Sequence, residues 1–250
     1  MTTILDIYNY IDGFAPFDTS MEFDNTGILI GDGKKEVKNV LLALDITGEV
    51  IEEAKESGAE LIITHHPAIF NGIKSISEND LVYRLIKANI AVISAHTNLD
   101  LSQTFGVNTV LAEKLGLENP RFINEELPLV AGELKKPLYA SEFESSVSHD
   151  LNNKRVRSNA VKINKIIKTV AVGGGACGEY GGIVADMNID AFVTGELKHH
   201  EFLYLTEKNV LAIDAGHFYT ENPVIEPLKE RLSEKFGDVG FFVSKVCCSY

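Results

Sequence analysis

Tryptophan is absent from this 250-residue sequence and cysteine is rare. The three cysteines, Cys177, Cys247 and Cys248, are odd in number and form no C-x-x-C pair. That argues against a disulfide framework and fits a reducing compartment. Cys247 and Cys248 read as strand residues near the end of the chain, and Cys177 sits in a glycine-rich turn. The opening residues hold no apolar segment of signal-peptide character, and no apolar run approaches the ~18 residues that span a bilayer. A cytoplasmic protein with no membrane partner is therefore expected. Positive charge is in deficit: 23 Lys and Arg face 36 Asp and Glu, a formal net charge of −13. Such a chain repels a phosphate backbone at long range, so nucleic acid is not the partner expected, although a local basic patch would escape that argument. An acidic chain that gathers histidines and carboxylates suits bound cations.

What the sequence does contain is alternation. Apolar residues at helical spacing (Ile4, Ile7, Tyr8 and Ile11) predict a helix over 3–14. The run Val40-Leu-Leu-Ala-Leu-Asp45 has the length of a strand, and its apolar continuity is that of a strand buried on both faces of an α/β sheet. A short strand at 26–30 precedes it. Thr47 can cap a helix over 49–57, which Gly58 ends. Strands at 60–64 and 90–95 bracket a helix over 80–89. The second half repeats this order, with strands at 169–172, 190–194 and 209–213 and helices over 180–187 and 198–206. A helix over 223–236 and a strand over 240–246 close the chain. Residues 59–64 align with 189–194, and 90–95 with 210–215. After each of the latter pair comes a histidine with an acid four residues on, His96 with Asp100 and His217 with Glu221. We read a tandem duplication of an α/β unit. The first repeat covers 1–115, a more polar connector with a helix near 140–151 covers 116–166, and the second repeat covers 167–250.

In parallel α/β sheets, functional groups gather at the carboxyl ends of strands. Six of the seven histidines fall in clusters that follow these predicted strands, His149 being the exception. Pro67 cannot continue a central ladder, so His65 and His66 leave the strand there and can serve one site. Neutral imidazole is the commonest nitrogen ligand for transition metals, though a histidine pair also occurs as surface or packing residues. His217 and Glu221, four apart, share one helix face and offer nitrogen and charge to one cation; a helix-start histidine beside a solvated glutamate is the alternative. Asp100 suits a ligand or a bridge between metals. His96 suits a supporting donor or general base better than a direct ligand. Glu196 either pairs with His200 on a helix or acts on the substrate side. The run Gly173-Gly-Gly-Ala-Cys-Gly178 is a weak phosphate signal, because it lacks Lys-Ser/Thr and the G-x-G-x-x-G register. Asp24 and Asn25 read as caps of a turn before a strand.

Five motifs in order carry a resemblance. Phe23-Asp-Asn-Thr-Gly27, Ile63-Thr-His-His-Pro67, Ala95-His-Thr-Asn-Leu-Asp100, Thr194-Gly-Glu196 with His199-His200, and Ala215-Gly-His-Phe-Tyr-Thr-Glu221 together resemble the NIF-three-like family, whose members carry the name GTP cyclohydrolase 1 type 2 homologue. Each motif is modest alone, and the match runs from the first helix to the last strand. The resemblance implies an α/β fold of two intertwined repeats with mixed, largely parallel sheets. It also implies two divalent metal ions between the halves and a homohexameric ring. It assigns His65, His66, Asp100, His217 and Glu221 as metal ligands. Phe23 stands where the family usually has Trp. The domain that some relatives insert in the connector has no room in this length.

Three functions follow as expectations. The first is a metal-dependent hydrolase of a nucleotide, another heterocycle or a phosphate ester, with His96 or Glu196 moving the proton. The second is a metal-binding or metal-delivery protein without catalysis. The third is a ring that binds DNA or a regulatory protein, against which the net charge weighs. His and carboxylate ligands accept Zn, Mn, Fe, Co or Ni, so the sequence leaves the metal open.

Overall fold

A computed structural model describes residues 1–247. The chain divides into two compact units: Met1–Ser102 joined by the closing segment from Ile225 onward, and Gln103–Val224. Thr3 starts helix α1 (Ile4–Asp12) with a capping box. Its hydroxyl accepts from the Asp6 N–H, and its own N–H donates to the Asp6 carboxylate at 2.8 Å. Strands β1 (Gly27–Ile30) and β2 (Asn39–Ala43) follow, then α2 (Gly48–Glu56), β3 (Leu61–Thr64), α3 (Leu81–Lys87), β4 (Ala91–Ser94) and the single turn α4 (Thr97–Asp100). Thr47 caps α2 as expected, its Oγ1 accepting from the Val50 N–H.

The second unit runs α5 (Val107–Lys114), β5 (Leu117–Phe122), β6 (Val130–Tyr139), α6 (Ala140–Asp150), β7 (Arg157–Ser158), β8 (Ile166–Gly173), α7 (Gly181–Asp186), β9 (Ala191–Thr194), α8 (His199–Glu207), β10 (Leu211–Asp214) and α9 (His217–Glu221). The chain then returns to the first unit with α10 (Ile225–Lys235) and β11 (Gly240–Val243). The final strand stops three residues short of the expected 246, so Cys247 is exposed beyond it, and Cys248 lies outside the described residues. Among the described residues no helix is long and apolar enough to cross a membrane.

Each unit is built on one mixed sheet. In the first the order is β1-β4-β3-β2-β11, parallel except for the antiparallel pair β1–β4. In the second it is β5-β6-β8-β9-β10-β7, with β8, β9 and β10 parallel and the outer pairings antiparallel. The inner strands are apolar throughout because helices cover both faces. Leu41, Ile62 and Val92 pack with Val50, Ile51 and Ala54 of α2 and Leu85 of α3. The alternate residues Val40, Leu42, Leu61 and Ile63 are equally buried. In the second sheet Val170, Val193 and Ile213 pack with Leu111 of α5 and Phe143 of α6, while Phe192 and Ala212 pack with Val184 of α7 and Leu205 of α8.

The duplication read from sequence is geometric as well. Val40 pairs with Leu61 and Leu61 with Ala91; Val170 pairs with Ala191 and Ala191 with Leu211. Helices α2, α3, α7 and α8 end on the same device, a residue of positive φ (Gly58, Asn89, Asn188, Asn209). The next residue's N–H reaches back to the carbonyl five positions earlier, as from Ile90 to Leu85 and from Val210 to Leu205. Segment 116–166 departs from the expected connector. It holds α6 as expected, but β5 and β6 pair with each other and β6 with β8, making it sheet. Most of β6 is exposed or half-buried, so its polar residues gave no strand signal. Helix α5 was not foreseen either.

Candidate metal centre

In the first unit the paired register of β3 and β4 brings Thr64 level with Ser94, so the residues after each strand emerge at one edge. His65 is 1% exposed. Its Nδ1 lies 2.9 Å from the Ala95 carbonyl, which can only accept, so Nδ1 donates there and Nε2 is the ring nitrogen turned away from it. That Nε2 is 3.6 Å from Asp100 Oδ1. His66 Nδ1 is 2.7 Å from Asp45 Oδ1, and His96 Nδ1 is 2.8 Å from Asp24 Oδ1. The three imidazoles each bring a ligand atom within 4.8 Å of the others, a group that could hold a metal ion. Asp100 joins them through α4, where its N–H bonds to the His96 carbonyl, one turn earlier.

Asp24 is the support that the sequence did not reveal. Rather than merely capping its own turn, it accepts from His96 with one oxygen. With the other it accepts from the Thr97 N–H at 3.0 Å and the Thr97 hydroxyl at 2.6 Å. Burial pushes its carboxyl pKa up, but the hydrogen bonds from His96 and Thr97 outweigh burial and hold it well below the usual carboxylate range. An ionised, acceptor-only Asp24 fixes the His96 tautomer in turn. The signal that could have found Asp24 is its place in the Phe23–Gly27 motif. For Asp45 it is an acid at the carboxyl end of β2, on the edge where His65 emerges.

In the second unit His217 opens α9. Its Nδ1 is 2.7 Å from Glu196 Oε1, and its Nε2 is 3.0 Å from Glu221 Oε2, four residues on. Glu221 is 3% exposed. Glu196 lies ahead of α8 instead of on it, so the helical pairing with His200 does not form; His200 is near Glu201. The tri-glycine run has a packing reason. Gly175 has φ +65°, and a Cβ there would sit 2.1 Å from Glu221 Oε1 and 3.2 Å from His217 Nε2. Its carbonyl accepts from the Gly195 N–H and the Thr194 hydroxyl, and its N–H donates to Thr220 Oγ1. The loop is a bed for the His217–Glu221 pair. Cys177, just beyond, directs its sulfur to the Gly174 carbonyl within an apolar cluster.

The predicted residues thus assemble as His65, His66, His96 and Asp100 in one unit and His217, Glu221 and Glu196 in the other. In all four imidazoles Nδ1 is taken by an oxygen acceptor. Metal-binding histidines are usually held this way, the second nitrogen donating to a carboxylate or carbonyl so that the first points its lone pair outward. Imidazole and carboxylate donors of this kind, His65 and Glu221 among them buried, fit a divalent transition metal.

The family model for Duf34/NIF3 (NGG1p interacting factor 3) matches residues 2–249. A Clostridium perfringens protein named GTP cyclohydrolase 1 type 2 homolog is 38% identical, over 96% of this chain and 95% of its own. A Campylobacter jejuni protein of the same name is 32% identical over 86% of each. Among solved structures, a Staphylococcus aureus protein superposes with TM-score 0.91 at 30% identity, covering 99% of this chain and 97% of that one. Reduced HcgD from Methanocaldococcus jannaschii superposes with TM-score 0.85 at 29% identity over 98% of each.

Proposed function

Because the chain belongs to the Duf34/NIF3 family, we propose that it is a metal-dependent hydrolase of a nucleotide or related phosphorylated heterocycle. It holds two divalent ions through His65, His66, Asp100, His217 and Glu221. The observation that carries this reading is the common anchoring of the imidazoles: Ala95, Asp45, Asp24 and Glu196 each engage an Nδ1 and so fix the ring's orientation. When bound, such ions polarise an electrophile and bring the pKa of water toward about 7. The chain's own residues do the rest. Asp45 and Asp24 keep His66 and His96 in one tautomer and one orientation. Glu196, whose side chain is 60% exposed, is open to a substrate proton as well as to His217. His96 and Glu196 are the groups placed to move that proton. The name shared by the curated relatives supports a guanine nucleotide as the first substrate to test.

The test is elemental analysis of natively purified protein followed by a nucleotide panel with the metal-loaded form. Turnover that stops on chelation and in His66→Ala is expected. Turnover that survives both would overturn the hydrolase reading. A tightly held metal with no turnover on any nucleotide would replace it with a metal-holding role for the same ligands.

A further inference from the structure

The second unit holds a cavity of about 520 Å³ that the reading above does not use. Its lining includes Lys154, Arg155, Arg157 and Asp214, and also Gly216 and Tyr219, which lie on either side of His217 in the chain or next but one to it. In a chain of net charge −13, three cations within four residues are a concentrated exception. Arg157 is committed to the fold. It pairs with Asp214, donates to the Leu197 carbonyl at 2.9 Å and lies over the Phe202 ring. Asp214 also accepts from the Leu197 and Gly216 N–H groups. Lys154 and Arg155 differ. Both are exposed, and neither has a carboxylate partner among the described residues.

The segment that carries them is fixed in place. Asn153 is 4% exposed; its side-chain amide donates to the Ala215 carbonyl at 2.7 Å, and its Oδ1 accepts from the Arg155 N–H at 2.9 Å. The Ser148 hydroxyl holds the Asn153 carbonyl at 2.7 Å. The loop is therefore pinned to the strand end that leads into His217, and its two exposed cations form no ion pair among the described residues, Asp214 in the same lining being held by Arg157.

We infer that this cavity is the anion subsite of the metal centre, where Lys154 and Arg155 receive the phosphate groups of a phosphorylated substrate whose reacting part lies at His217. The assignment rests on the proposed metal-dependent reading for what happens at His217, but not for the binding of phosphate. Arg155 offers a planar fork that matches two phosphate oxygens, and Lys154 offers a mobile point charge.

Isothermal titration of the metal-loaded protein with inorganic pyrophosphate tests it. In the double variant Lys154→Gln/Arg155→Gln, Kd should rise at least tenfold with metal content and circular dichroism unchanged, because both side chains are exposed. An unchanged Kd overturns the subsite. Binding that disappears on chelation or in His217→Ala, yet ignores the loop variant, also overturns it by putting the anion on the metals, and leaves the metal reading standing. Binding that survives chelation and still falls in the loop variant supports the subsite, and metal content measured on the same samples judges the metal reading separately.

Discussion

Asp24 is a carboxylate whose side chain is closed to solvent, kept ionised by three hydrogen bonds that orient His96 and Thr97. Asparagine has the same shape but must turn an N–H toward one of those donors. Asp24→Asn should therefore cost about 1.5–3 kcal/mol, the range for hydrogen bonds to a charged group. The cost should appear as a lower urea midpoint at unchanged slope. Unchanged stability would mean that Asp24 is not ionised in the fold. Gly175 is the second sensitive residue. Gly175→Ala forces a methyl to within 2.1 Å of Glu221 Oε1 at a positive φ. Stability should drop by at least about 1 kcal/mol, and bound metal should drop with it. Gly72→Ala, where a methyl meets nothing within 4 Å, is the matched control and should change neither.

The strands are tied together by acids in matching places. Glu60, ahead of β3, accepts from the Lys38 N–H at the start of β2. Asp190, ahead of β9, accepts from the Lys168 and Thr169 N–H groups of β8 and pairs with Lys165 at 2.9 Å. Burial raises the Asp190 pKa, but Lys165 and these N–H groups outweigh it and lower the carboxyl below its ordinary value of 3.8. A depressed native pKa contributes stability that is complete above the unfolded value and is lost as pH falls through the native one. The stability gap between the wild type and Asp190→Asn should therefore be full at neutral pH and shrink below about pH 4. Urea unfolding at both pH values measures it; a gap independent of pH would deny the carboxylate this role. At this scale the sequence was most legible where burial is two-sided. Strands β2, β3, β4, β9 and β10 were visible as apolar runs, and α1 and α2 by period and cap. Strand β6 was hidden because residues such as Glu133, Lys135 and Lys136 read as loop.

Two predictions concern the whole protein. The metal reading requires two ions per chain, with His66→Ala and His217→Ala each lowering the count in elemental analysis; a count that neither changes would remove the proposed ligand set. The resemblance further predicts six chains per particle, which light scattering at micromolar concentration can check, a monomer being the contrary result. The sequence by itself determined the repeat, the strand edge on which the histidines emerge, and the donor types, because these follow from periodicity and residue chemistry along a local stretch. Only the tertiary structure decided which oxygen holds each imidazole. Asp24 is 72 residues from His96, and Glu196 is 21 from His217. Sheet register, which no local pattern encodes, sets such pairings.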